Sequence, residues 1–257
     1  MRKIIKIVYW WLVQFGVDPY KTLHAVIEMP VYIKNYILIK RQAGNWRLSS
    51  NKPCLHDRAD SSGQAKGHYF FQDLYYAKKI FHKQPVKHVD VGSRVDGFVA
   101  HVASFRDIEV LDIRPNNSLV DGITFKQCDF TKVTEEFVEC TDSLSCLHAL
   151  EHFGLGRYGD ALDIDGYIDG AQNIKKILKP GGVLYLSVPI GRERIEFDAH
   201  RVFYPETIIS LFFDFDLVDF AWVSDDGNLH SEDVKGLSFS QFNNLDYGLG
   251  MFTFEKK

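Results

Sequence analysis

From about residue 85 onward, short apolar runs recur between polar and glycine-containing segments: "VKHVDVG", "IEVLDI", "ITFKQCDF", "DSLSCLHA" and "GGVLYLSVP". With helical stretches between them, this beat predicts a βαβ series and a parallel sheet. Two later runs, "FDFDLVDFAWV" and "YGLGMFTFEKK", predict two more strands. No convincing crossover helix fits the loop between them, so an antiparallel, hairpin-like pair is expected. Before residue 85 the texture differs. Met1 to about Arg41 reads as helix, broken near Gly16–Pro19 and again at Pro30. "RQAGNWRLSSNKPCLHDRADSSGQAKG" reads as a long loop, of the kind that often serves as a binding segment or lid. In "HYFFQDLYYAKKIF", Tyr69, Phe70, Leu74, Ala77 and Phe81 fall at helical spacing. The expected organisation is a helical extension and loop over residues 1–67, then an α/β domain over residues 68–257. There is no internal repeat and no low-complexity tract.

Composition narrows the partners. The 257 residues carry 46% hydrophobic side chains and a formal net charge of −4, which gives no support to bulk nucleic-acid binding. The charge is uneven: roughly +5 up to Arg41, leaving about −9 for the remainder. "MRKIIKIVYWWLVQFGV" mimics a signal peptide, but Lys6 and Gln14 interrupt the apolar run and no small-residue cleavage site follows. It is too short to span a bilayer. Two readings stay open. The segment is either a helix packing its aromatics on the body of the protein, or a basic amphipathic helix lying on an anionic membrane. Cys54, Cys128, Cys140 and Cys146 form no C-x-x-C pair, so reduced thiols in a cytoplasmic protein are expected, with peripheral attachment to the inner membrane face under the second reading.

"VDVGSRVDGF" ends the first expected strand with Asp90 and Gly92. In doubly wound sheets, ligands bind outside such strand ends. The loop is no P-loop, because Phe98 and Val99 stand where Lys and Ser/Thr are required. It is no dinucleotide fingerprint either, because Arg94 holds the second glycine position. "VLDIRP" ends the second strand with Asp112, about 20 residues on, where a carboxylate accepts hydrogen bonds from ribose hydroxyls. "KQCDF" ends the third with Asp129, followed by Phe130. Three acids at consecutive strand ends suit a neutral or cationic nucleoside.

Asp90-x-Gly92, Asp112, Asp129, "DSLSCLHALEHF" and "ILKPGGVLYLSVP" resemble the ordered motifs of class I S-adenosylmethionine-dependent methyltransferases. The resemblance covers roughly residues 85–257. Within that class, "CLHALEHFGLGRYGD" and "QDLYYAKKI" resemble a bacterial group of unknown function associated with surface-polysaccharide synthesis. The resemblance implies a Rossmann-like, seven-stranded sheet, mostly parallel with an antiparallel last strand, and S-adenosylmethionine as cofactor. It places Asp90 near the cofactor's amino group and the loop of Gly92, Ser93, Arg94 and Gly97 along its methionine part. Asp112 with Ile113 would take the ribose, Asp129 with Phe130 the adenine, and Cys146, Leu147 and His148 would border the reactive end. Arg94 and Asp96 depart from the small residues usual in that loop.

His148, Glu151 and His152 spell H-x-x-E-H, a zinc-peptidase pattern, but a strand runs almost into His148, so the helical context that chemistry needs is missing. Three readings remain. His152 is a general base for an acceptor hydroxyl, oriented by Glu151; or Glu151 and His152 hold a divalent ion, as the similar "LEH" of quinone-pathway O-methyltransferases suggests; or both cap the next helix. The first is preferred, with no metal. "FGLGRYGDALDIDGYIDG" fails the calcium-loop register and reads as an acceptor-side loop in which Arg157 and Tyr158 meet a sugar or an acid. Arg192, Arg194, His200, Arg201 and Tyr204 lie close in sequence and are expected to face the same pocket. The expected activity is methyl transfer to the hydroxyl of a small molecule or glycan, lipid-linked if the first helix meets membrane. A degenerate fold that binds a nucleoside or partner without turnover is the alternative, and a nicotinamide-dependent sugar enzyme is weakened by the glycine loop.

Overall fold

The computed structural model describes residues 2–46, 48–49, 51–132 and 135–257; Met1, Arg47, Ser50, Val133 and Thr134 lie outside the described residues. The chain divides into two compact units, Met1–Gln64 and Ala65–Lys257.

The first unit holds α1 (Arg2–Gln14) and α2 (Pro19–Gln42). Asp18 stops the chain between them: its carboxylate accepts the backbone N–H groups of Tyr20 and Lys21 at 3.0 and 3.1 Å, and Pro19 takes the first helical position. The break expected at Pro30 is absent. Pro30 lacks one N–H donor, yet long helical segments on both sides carry α2 through it. Ile4, Ile5, Trp10, Trp11 and Phe15 on or next to α1 are exposed, and α2 buries none of its residues. Among the described residues, no helix is long and apolar enough to cross a membrane.

The second unit opens with α3 (His68–Lys83). Then follow β1 (His88–Val91), α4 (Ala100–Ala103), β2 (Ile108–Asp112), β3 (Ile123–Gln127), β4 (Thr141–Leu147) and α5 (Gly166–Ile177). The chain continues through β5 (Leu178–Ile190), β6 (Arg194–Glu196), β7 (His200–Val202), α6 (Pro205–Leu211), β8 (Phe215–Val223), β9 (Leu229–Glu232) and β10 (Gly248–Lys256). The sheet order is β3-β2-β1-β4-β5-β10-β8-β9. The first five strands in that order are parallel, and β10 runs antiparallel between β5 and β8. This is the Rossmann-like sheet expected, with its last strand antiparallel. The expected count of seven is exceeded by β9, which pairs along the outer edge of β8.

The strands formed where the apolar runs stood because both faces are covered. On one face Cys146, Ile174, Leu184 and Phe252 pack beneath α5 and α6. On the other, Val110 and Met251 pack with Tyr76 and Ile80 of α3, Val102 of α4 and Phe98. The helical alternation is looser than expected. Among the described residues, the connections from β2 to β3 and from β3 to β4 contain no α-helix. α3 forms, but Tyr69, Phe70, Leu74 and Phe81 remain exposed while Gln72, Asp73, Tyr76, Ala77 and Ile80 turn inward. Among the described residues no disulfide joins the four cysteines; Cys146 is buried and Cys54 exposed.

Tyr76 has no exposure, and its hydroxyl faces the carbonyls of Leu186 and Phe252 at 2.9 and 3.0 Å, where parallel pairing gives way to antiparallel. Replacing it with Phe removes the one buried donor that faces these two carbonyls. Tyr76→Phe is expected to lose about 1–2 kcal/mol in urea unfolding. An unchanged midpoint would mean that the hydroxyl does not tie α3 to the sheet.

Candidate functional site

The strand order reverses beside β1, which pairs with β2 on one side and β4 on the other. Outside the C-terminal ends of these strands lies a cavity of about 480 Å³, with α3 forming one wall. Of the residues singled out from sequence, Gly92, Ser93, Arg94, Gly97, Asp112, Ile113, Asp129, Phe130, Leu147, His148, His152, Arg157 and Tyr158 all line it.

Asp90 does not. It has no exposure, and its carboxylate accepts the Ser93 N–H at 3.0 Å, the Ser93 hydroxyl at 2.8 Å and the Ser145 hydroxyl at 2.5 Å. Burial pushes its pKa up to about 6, against the pull of those bonds. It shapes the loop from behind the wall. The backbone in front is bare: Gly92 has φ +77°, and a Cβ there would stand 2.8 Å from the Cβ of Ala149. A Cβ on Gly97 would stand 3.0 Å from Asp73 Oδ2.

Asp73 and Gln72 line the cavity from α3 and were not assigned a role from sequence. Gln72 accepts the Ser187 hydroxyl at 2.6 Å and donates to Asp73 Oδ1 at 3.0 Å. Burial holds the Asp73 carboxyl above its ordinary value. The available signal was a Gln-Asp pair inside an otherwise aromatic helix.

Asp112 ends β2 with its carboxylate aimed at the cavity, and Arg114 occupies it. Oδ1 accepts the Arg114 backbone N–H at 2.8 Å and Nε–H at 3.0 Å, while Oδ2 accepts the terminal amine at 2.5 Å. Asp129 Oδ1 accepts the Thr131 hydroxyl at 2.7 Å and its N–H at 3.1 Å. Phe130 is buried and packs on Phe153.

At the end of β4 the chain turns sharply, with His148 at φ +51°. A short turn of Leu150–His152 follows, and Glu151 is fully buried beneath it, outside the cavity lining. His148 Nδ1–H donates to Glu151 Oε1 at 2.7 Å, and a proton is shared between His148 Nε2 and His68 Nδ1 at 3.2 Å. Burial pushes the Glu151 carboxyl up, but the facing His148 and His152 and the His148 bond outweigh this, leaving it below its ordinary value. Among the described residues, Glu151 Oε2 has no hydrogen-bond partner. Burial, with the nearby His148, pushes His68 down to about 4. His152 Nδ1–H donates to the carbonyl of Ala199 at 2.7 Å, leaving the lone pair on Nε2, 3.7 Å from Glu151 Oε1. Burial lowers the His152 pKa despite Glu151, so the ring is neutral at pH 7. A neutral imidazole with one nitrogen anchored and the other bare is equipped to accept a proton. Among the described residues, no group of three or more His, Cys, Asp or Glu side chains is arranged to hold a metal ion.

The five residues expected to share this pocket are dispersed. β6 and β7 form a small hairpin there, which was not foreseen. Arg201 is buried and donates to the carbonyls of Glu151, Phe153 and Ile164, so it clamps the turn after β4. Arg194 pairs with Glu196 at 2.7 Å. Arg192 and Tyr204 line a separate shallow surface depression. His200 lies behind His152, ring centroids 6.5 Å apart, and packs on Tyr247.

NMR of histidine-labelled protein should show His152 titrating below 6.5 and His68 near about 4. Because Glu151 raises the His152 value, Glu151→Gln should lower it further. An upward shift in the variant would contradict this arrangement.

Comparison with known proteins bears on the fold and the family. N-methyltransferase NodS from Bradyrhizobium japonicum WM9, solved with S-adenosyl-L-homocysteine, is 14% identical over 84% of this chain and 97% of its own, with a TM-score of 0.50. The 1,6-didemethyltoxoflavin-N1-methyltransferase of Burkholderia thailandensis, also solved with S-adenosylhomocysteine, is 14% identical over 91% and 90%, with a TM-score of 0.50. The [4+2]-cyclase SpnF is 13% identical over 79% and 89%, with a TM-score of 0.52. These likenesses show the class I methyltransferase fold. No curated protein matches the chain. One family model, described as "Caenorhabditis protein of unknown function, DUF268", matches residues 98–246, from the start of the first crossover to the loop before β10. That match covers more than half of the sequence and includes Asp112, Asp129, His148–His152 and Arg157, and by it the chain belongs to the DUF268 family.

Proposed function

We propose that this protein is an S-adenosylmethionine-dependent methyltransferase that methylates a hydroxyl of a sugar or glycan, with His152 as general base. The observation that carries the reading is the position of His152: a neutral imidazole at the cavity's edge, with Nδ1 fixed on Ala199 and Nε2 bare.

The cavity suits this cofactor. The backbone is bare at Gly92 and Gly97, and the carboxylates of Asp73, Asp112 and Asp129 line the walls, which favours a sulfonium and an ammonium over a phosphate. Asp73 takes the amino-group role that the buried Asp90 leaves vacant. Asp112 holds the ribose once Arg114 yields, and Asp129 with Phe130 holds the base. When bound, S-adenosylmethionine supplies an electrophilic methyl group and departs as a neutral thioether. His152 Nε2 takes the proton from the acceptor hydroxyl, and the Glu151 charge stabilises the imidazolium that results. His148 holds Glu151 in place for that purpose. Alignment of the acceptor oxygen supplies much of the rate.

Micromolar binding of S-adenosylhomocysteine in a calorimetric titration is expected, lost in Asp112→Ala and weakened in Asp73→Asn. His152→Ala should retain that binding and lose turnover with an accepted sugar. Wild type that does not bind would defeat the reading. A second reading is a fold that binds without turnover, and the Arg114 guanidinium seated on Asp112 favours it.

The setting follows from the resemblance to surface-polysaccharide proteins: a cytoplasmic enzyme at the inner membrane face, acting on a lipid-linked glycan. The exposed Ile4, Ile5, Trp10, Trp11 and Phe15, with Lys6 among them, support contact of α1 with an anionic membrane. Deletion of residues 1–16 should abolish co-sedimentation with anionic liposomes. Undiminished co-sedimentation would remove the membrane from the picture.

A further inference from the structure

Three arginines, Arg94, Arg114 and Arg157, line the same cavity. Two of them are neutralised locally. Arg94 makes a fork on Asp96, with bonds of 2.9 and 2.6 Å, and Arg114 does the same on Asp112, at 3.0 and 2.5 Å. Arg157 is different. Its bond, 2.9 Å long, goes to the neutral carbonyl of Ala199, and among the described residues no carboxylate pairs with it.

That carbonyl is also the one that fixes His152, through Nδ1–H at 2.7 Å. The guanidinium and the candidate base are therefore bonded to one oxygen, less than two hydrogen-bond lengths apart. Tyr158 fills the space beside them. Its ring meets the His152 ring edge-on at 5.3 Å and carries the Arg157 guanidinium 5.2 Å and the Arg114 guanidinium 4.6 Å from its centroid. Two cations on one tyrosine ring repel each other unless anions lie nearby, and Arg114 has one while Arg157 does not.

The loop presenting Arg157 is built to hold it. Asp160 accepts the backbone N–H groups of Gly154, Gly156 and Tyr158 at 2.7, 3.1 and 3.3 Å. Gly154 sits at φ +77°, where a Cβ would collide with the Asp163 carbonyl at 1.9 Å. An exposed arginine is ordinarily a solvated, mobile side chain. This one is held on a carbonyl, by a braced loop, beside the base. Covering it with an acceptor would desolvate an unpaired charge unless the acceptor brought an anion.

We infer that the methyl acceptor carries an anionic group, a carboxylate or a phosphate, which binds Arg157 beside Tyr158 and so places its hydroxyl at His152. The inference rests on the methyltransferase reading and names the substrate class of that site. An acidic sugar or a sugar phosphate meets the description, and a neutral sugar does not.

The full-length protein is titrated calorimetrically with D-glucuronate, inorganic phosphate and neutral methyl glucoside, each with and without S-adenosylhomocysteine. Millimolar binding of D-glucuronate, phosphate or both is expected, with at least tenfold weaker binding in Arg157→Gln and an intermediate loss in Arg157→Lys. The stronger of the two anions identifies the group. Equal unfolding midpoints confirm that the variants are folded. Binding of neither anion, binding of methyl glucoside as tight as D-glucuronate, or full anion affinity in Arg157→Gln would overturn the proposal. S-adenosylhomocysteine binding without anion binding sinks this inference alone, whereas anion binding through Arg157 without S-adenosylhomocysteine binding leaves an anion site but sinks the cofactor reading, and with it the anion's role in methyl transfer.

Discussion

A carboxylate with no access to solvent lies beneath the C-terminal end of β4, and the need to partner Glu151 shapes that end of the sheet. A buried ionised group persists only when it is paired and hydrogen-bonded. His148 supplies the bond, and its left-handed backbone brings the ring back over the carboxylate. His152 supplies the second facing imidazole. Arg201 then ties the carbonyls of this turn to the loop ahead of α5, so the turn is held from outside as well. Among the described residues, the other Glu151 oxygen, Oε2, has no hydrogen-bond partner. The strained turn, the buried acid and the neutral histidine thus form one unit with an acid-base bearing.

Much of the fold was legible in the sequence. Apolar runs long enough for a strand, bounded by Gly, Pro and Asp, became the strands of the main sheet, and Pro205 opened α6. Strand-end acids and the glycine loop gave the position of the cavity, because topology alone puts strand ends of a parallel sheet together. Less legible was whatever depends on how elements face each other. Helical spacing announced α3 but not which of its faces lies inward, so Gln72 and Asp73 stayed hidden. Asp90 has the right spacing for a ligand-facing acid, yet Ser93 and Ser145 turn it inward, and the pairing of Asp90 with Ser145 appears only once β1 lies beside β4. Strands as short as β6 and β7 carry too few residues to show a period, so the Ala199 carbonyl that joins Arg157 to His152 had no signature at all.

Fold and chemistry separate here in an instructive way. Neighbours at 13–14% identity include enzymes named for N-methylation and one named as a cyclase, so the shared sheet alone does not select a reaction. The family match begins at Phe98, past the glycine loop, and runs through the β4 turn and the arginine-bearing loop. The stretch that the family model covers therefore carries a histidine held on a carbonyl, a buried acid behind it, and an arginine on the same carbonyl.

Everything proposed for the cavity depends on Asp112 exchanging its arginine for a nucleoside. A crystal structure of the protein grown with S-adenosylhomocysteine tests this most directly. The expected result is the ligand in the β1–β4 cavity, its ribose hydroxyls on Asp112, Arg114 moved off that carboxylate, and the sulfur on the His152 side. A ligand bound elsewhere, or an Arg114–Asp112 pair still closed with the cavity empty at saturating ligand, would contradict it.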